Sequence, residues 1–115
     1  MKRQTIVYLQ HIRDAIVWIE DYTMGMDGEG FRKNHMAQDA VLKQIEVIGE
    51  AAKHLPAEFT DRHLEVPWKD IVGMRDIVVH NYLGVDIVAT WKTVSVDIPV
   101  LGNAIDKILR DLKDS

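Results

Sequence analysis

The residue types best suited to chemistry stand together in one stretch, Met74-Arg75-Asp76-Ile77-Val78-Val79-His80-Asn81-Tyr82. Histidine titrates near neutrality, so His80 can take a proton from a ribose 2′-hydroxyl or return one to a leaving 5′-oxygen. Arginine keeps its charge, and the planar fork of Arg75 matches phosphate oxygens as negative charge builds on them. Cleavage of RNA by its own 2′-hydroxyl needs these two groups and no metal ion. Asp76 lies four residues before His80 and can share its face of a helix, where it would orient the imidazole. Asn81 and Tyr82 complete the polar set. Geometry sets a condition: on a regular helix Arg75 and His80 lie about 140° apart, so one helix aims them poorly at one phosphate. A two-fold axis beside that helix would bring two Arg–His pairs into a shared cleft. Tyr82 falls about 20° from the line of Arg75. Spacing alone fits a bland reading more often: an arginine and a histidine on a solvated face, with Tyr82 a half-buried aromatic.

Other chemistries find less support. The chain has no cysteine, which removes disulfides, thiol nucleophiles and thiolate metal sites together. His11, His35, His54 and His63 are scattered, no pair has HExxH spacing, and each is expected at the surface or a helix end. Ser95 falls within a helix and Ser115 at the terminus, neither on a nucleophile elbow. The segment Met24-Gly25-Met26-Asp27-Gly28-Glu29-Gly30 follows a helix rather than a strand and has no GK[ST], so it is no phosphate loop. Asp106 and Asp111 read as solvated helix faces. Neither a metal nor a cofactor is expected.

Positioning such a site requires a fold, and 115 residues with 47% hydrophobic and 28% charged residues suffice for a single globular domain, residues 1–115. No apolar run approaches the roughly 20 residues that span a bilayer, and the charged start is unlike a signal peptide. A cytoplasmic protein is the expectation. The formal net charge of −4 argues mildly against a nucleic-acid binder held by its global field. Local basic sites remain open at Lys2–Arg3, Arg32–Lys33 and Arg62–His63, each of which alone is ordinary surface.

Apolar periodicity predicts four main helices and no strand. The first runs from about Gln4 to Tyr22, with Leu9, Ile12, Ala15, Ile16 and Ile19 on one face. The glycine-rich segment after it reads as a flexible turn. A second helix, capped by Asn34, carries Val41, Ile45, Ile48, Ala52 and Leu55 before Pro56. Residues 56–66 read as an irregular connection with room for one short turn. Pro67 suits the first position of a third helix from Trp68 to Tyr82, stopped by Gly84. Asp86 caps the last, where Ile87, Trp91, Val94, Ile98, Leu101, Ile105, Ile108 and Leu112 alternate steps of four and three. Pro99 should bend that helix without ending it. Its seam could pack within the chain or against a second copy. The fold class is all-α: an antiparallel four-helix bundle, extendable to five helices.

The ordered landmarks resemble the HepT-like HEPN proteins, toxin halves of two-gene modules with a minimal nucleotidyltransferase antitoxin. They are Ala40 to Ala52, Val66-Pro67-Trp68-Lys69-Asp70-Ile71, Gly73-Met74-Arg75-Asp76, Val79-His80-Asn81-Tyr82, Gly84-Val85-Asp86 and Trp91, and the resemblance extends over almost the whole chain. The resemblance implies a HEPN bundle of four or five helices that forms a homodimer, with RxxxxHxY at the cleft between subunits. It implies that Arg75 and His80 are the ribonuclease pair, that Tyr82 receives AMP groups from the partner enzyme, and that Asp76 and Asn81 are auxiliary. The function implied is a toxin endoribonuclease leaving 2′,3′-cyclic phosphate ends. The alternative is a non-catalytic dimerisation module that presents nucleotide or RNA to the nucleotidyltransferase. A neighbouring gene for that enzyme would support both readings.

Overall fold

The computed structural model describes residues 2–74, 76 and 86–114, where all regular structure is helical. The first helix, α1 (Lys2–Tyr22), buries Leu9, Ile12, Ala15, Ile16 and Ile19, the face its periodicity predicts. Gly25 ends the run in a left-handed turn with φ of 76°.

The glycine-rich segment is not turn throughout. Asp27 accepts a 2.8 Å hydrogen bond from the Gly30 N–H and caps a short helix, α2 (Gly28–Lys33). Phe31 is fully buried with its ring 5.2 Å from that of Trp91. A Cβ on Gly28 would come within 3.2 Å of the Trp91 indole, so this glycine serves close approach rather than flexibility.

Asn34 caps α3 (His35–Lys53) by accepting from the Ala37 N–H at 3.0 Å. Val41, Ile45, Ile48 and Ala52 lie buried on α3, with Gly49 and Ala51 beside them. Lacking bulk, Gly49, Ala51 and Ala52 suit a close approach, and the α1–α3 contact is the most extensive between helices.

The connection after α3 is more ordered than its sequence suggests. Pro56 precedes α4 (Ala57–Asp61), whose Phe59 packs 4.6 Å from the His63 ring and 6.0 Å from Trp68. The Trp68 indole N–H donates to the His63 carbonyl at 2.9 Å. Pro67 sits at the N-cap of α5 (Trp68–Val72), one position earlier than expected. Trp68 and Ile71 are buried, and α5 packs against α3. The third expected helix thus has its first part at α5, closed by Gly73; residues 77–85, Gly84 included, lie outside the described residues.

Asp86 caps α6 (Ile87–Lys92), accepting from the Ala89 N–H at 3.0 Å. The helix then widens into a π turn over Thr93–Asp97 and continues as α7 (Ile98–Lys113). The proline explains the widening. Pro99 has no N–H, and its ring would meet the Ser95 carbonyl of a regular α-helix. Instead the Ile98 N–H donates to the Thr93 carbonyl, five residues back. Hydroxyls assist: Thr93 and Ser95 donate to carbonyls four residues back at 3.1 and 2.8 Å, a pattern that bends helices.

Val94, Ile98, Leu101, Ile105 and Ile108 are buried within the single chain, while Ile87, Trp91 and Leu112 are half-buried. The seam is therefore intramolecular, and α7 uses it to pack along α1. A Cβ on Gly102 would meet Ile16 Cγ2 at 3.3 Å, which marks how near the two helices come. The all-α, HEPN-like bundle expected from the sequence is the architecture, with α1, α3 and α7 as its long members.

Because Ile105 is fully buried, Ile105→Ala should cost about 2–5 kcal/mol in urea unfolding. Val100→Ala, at an exposed position of the same helix, should stay within about 0.5 kcal/mol. The Ile105→Ala loss should be equal at low and high protein concentration; a loss that grew on dilution would make the seam intermolecular.

Candidate functional site

Arg75, His80, Asn81 and Tyr82 lie outside the described residues. Asp76 is described: it is exposed, and its backbone N–H donates to the Gly73 carbonyl at 3.0 Å. The structure therefore defines the borders of the polar motif. On one side α5 is anchored by Trp68 and Ile71, and Met74, immediately before Arg75, is buried. On the other, the Asp86 cap fixes the start of α6.

The remaining histidines occupy the positions their spacing suggested. His54 is the C-cap residue of α3, with Nε2 3.3 Å from Glu50. His11 and His35 are exposed, and His63 Nδ1 lies 3.2 Å from Glu65 Oε1. Two of these histidines pack on the same tyrosine. Tyr8 and His54 stack with ring centres 5.3 Å apart and planes 16° apart, while His11 meets Tyr8 edge-on at 6.3 Å. The pair spans α1 and the end of α3, so no local spacing announces it. Among the described residues, no three His, Asp or Glu side chains are grouped to hold a metal ion. Ser95 is an exposed helix residue whose hydroxyl donates to the Trp91 carbonyl at 2.8 Å.

Charge is unevenly distributed. Arg32 and Lys33 both reach Glu29, at 2.6 and 3.4 Å, and the Arg32 hydrogen bond holds the Glu29 carboxyl below its usual range. That basic cluster is ordinary ion-paired surface, worth little to stability. A groove of about 560 Å³ between α1 and α7 gathers Arg13, Arg110 and Lys113 alongside Glu20 and Asp106. No described helix is long and apolar enough to cross a membrane.

The sequence profile of the family described as "Ribonuclease HepT-like" matches residues 12–108. The chain belongs to this family. A Thermococcus cleftensis protein named "Probable ribonuclease HepT" is 42% identical over 108 residues, covering 94% of this chain and 98% of that one. A Methanocaldococcus jannaschii protein named "Gamma-glutamylcyclotransferase and putative RNase" is 43% identical over 112 residues. The alignment covers 97% of this chain and only 50% of that longer protein. No solved structure matches the chain. Arg75, Asp76, His80, Asn81 and Tyr82 all fall inside the matched span.

The Asp86 cap borders the motif on its C-terminal side. Asp86→Ala should lower stability by about 1 kcal/mol or more, and Asp86→Asn should retain most of it because asparagine caps equally well. Urea unfolding measures both; equal losses would show that the carboxylate acts other than as a cap.

Proposed function

We propose that the chain is an endoribonuclease that needs no metal ion, with His80 moving protons and Arg75 holding the scissile phosphate. What supports this reading is an intact Arg75-x4-His80-x-Tyr82 motif inside the span matched by a ribonuclease family. In the proposed step His80 removes the 2′-hydroxyl proton and the 2′-oxygen attacks phosphorus. The bond from phosphorus to the 5′-oxygen breaks, and an imidazolium returns a proton to that oxygen. The products are a 2′,3′-cyclic phosphate and a 5′-hydroxyl, with Arg75 stabilising the charge on the phosphoryl oxygens meanwhile. The angular separation of Arg75 and His80 on a regular helix favours a homodimer in which one cleft draws on both chains.

The biological role we assign is that of a toxin in a type VII-like toxin–antitoxin module, cytoplasmic and acting on RNA. Its partner is a minimal nucleotidyltransferase antitoxin that silences it by AMPylation of Tyr82. An AMP group carries a phosphodiester charge, which would pair with Arg75 and take the place of the substrate phosphate.

Purified protein should cleave total RNA in the presence of EDTA. Arg75→Ala and His80→Ala should each abolish cleavage while the helical circular dichroism persists. Wild-type rates in either variant would refute the assigned roles, and loss of helicity would point to a structural role. Mixing the two inactive chains should restore activity if a cleft draws on both subunits; a fully active monomer would defeat the shared cleft.

Tyr82→Phe keeps the ring and removes the acceptor hydroxyl. Coexpressed with the nucleotidyltransferase, the wild type should gain AMP by intact mass and lose activity. The phenylalanine variant should gain none and stay active. AMP on that variant would move the switch to another residue.

A further inference from the structure

We propose that the groove between α5 and the π turn is a docking site for a protein partner, which inserts an apolar side chain flanked by lysine or arginine. The groove measures about 400 Å³. Val66, Ile71 and Leu101 are buried in it, and Met74 closes it one residue before Arg75. Its wall is apolar and open: Val100 is 68% exposed on it, and Val96, one turn earlier, is 52% exposed. Of the large apolar side chains exposed among the described residues, Val100 lines this groove and Val96 precedes it by one helical turn. Exposed apolar side chains beside an apolar floor mark an interaction surface. The helix beneath it is also irregular, because Thr93 and Asp97, at the two ends of the π turn, both line the groove. Bulges of this kind recur at functional sites.

Charge selects the occupant. Among the described residues, every ionisable side chain lining the groove is a carboxylate: Glu65, Asp70 and Asp97. Glu65 is held below the usual carboxylate range first by its own backbone N–H, then by His63, with Lys107 acting at longer range. Asp70 and Asp97 are exposed, and neither has an ion-pair partner among the described residues. Three carboxylates around an apolar floor repel a phosphate backbone, so RNA does not fit. A second copy docked by a two-fold axis would set this groove against itself and bring like charges together. A cationic segment with an apolar tip satisfies both features. Burial of the tip supplies affinity, and the charges supply selectivity and a salt-sensitive association rate. The proposal rests on this groove alone and stands whether or not the chain cleaves RNA.

The test is selection from a random displayed library of peptides roughly twelve residues long, enough for an anchored helix or strand. Full-length protein is the target and the Val100→Arg protein the counter-target. Enriched peptides should carry a large apolar residue with lysine or arginine on both sides. Their binding should weaken roughly tenfold or more on Val100→Arg, and at high salt. The Asp70→Lys/Asp97→Lys protein should select acidic peptides instead. Val88→Arg, at an exposed position on α6 that does not line the groove, should leave binding unchanged; circular dichroism checks that each variant is folded. The proposal is overturned by no enrichment, by acidic or uncharged peptides on the wild type, or by peptides that bind Val100→Arg equally well. Displacement of the peptides by short RNA would assign the groove to nucleic acid. A dimer of the free protein that dissociates on Val100→Arg in sedimentation would assign it to a second copy.

Discussion

Pro99 removes an N–H from the last helix at a point where its apolar seam must stay continuous. An interior proline costs a regular helix about 3 kcal/mol or more. Ending the helix there would leave Leu101, Ile105 and Ile108 without the regular spacing that buries them together. The chain widens the preceding turn instead, so the N–H of Ile98 reaches Thr93 and the seam resumes on the same side. Ile16 can then lie against Gly102, and α7 runs along α1 to its end. The same turn puts Val96, Asp97 and Val100 outward. A single backbone constraint thus fixes the core contact and shapes the surface opposite it.

The short segments depend on that core in turn. Helices of five or six residues are too short to be stable alone, so packing and caps must hold them. For α2 the holding contacts are Asp27 at the cap and Phe31 against Trp91. For α4 and α5 they are Phe59, the ring of His63 and the indole N–H of Trp68 bonded to the His63 carbonyl. This aromatic clasp brings the chain to Met74 in a defined position. Without it, the residue before Arg75 would have no fixed relation to α3 or α7.

The long helices were legible because stripes such as Leu9-Ile12-Ile16-Ile19 repeat over several turns, and period is a cooperative signal. Asn34 and Asp86 were legible as caps because their chemistry is local. By contrast, α2 and α4 span less than two turns and contain no period to detect. Their glycine and proline neighbours read as breakers although they act as close-contact and cap residues. The effect of Pro99 was legible as a bend, while its form, a widened turn, depends on the seam being held by partners distant in sequence. The Tyr8–His54 stack and the acidic groove were invisible for the same reason. As for the candidate site, Arg75, His80 and Tyr82 stand out in the sequence by residue type, family resemblance rather than spacing singles them out, and they lie outside the described residues.

A chain of net charge −4 that acts on a polyanion has to separate its charges in space. The carboxylates of Glu65, Asp70 and Asp97 ring one groove, and another on the far side of α7 gathers Arg13, Arg110 and Lys113 with the fewer carboxylates Glu20 and Asp106. Arg32 and Lys33 are both paired with Glu29. Under the proposed function, local cations rather than the global field must hold the phosphate, and Arg75 is the one the motif supplies. Two chains sharing a cleft would double that charge where it is needed. The bordering acidic groove would at the same time turn RNA away from α5 and keep that face open to a cationic protein. The two grooves flanking α7 therefore differ in the sign of their charge, and the apolar seam of that helix lies between them.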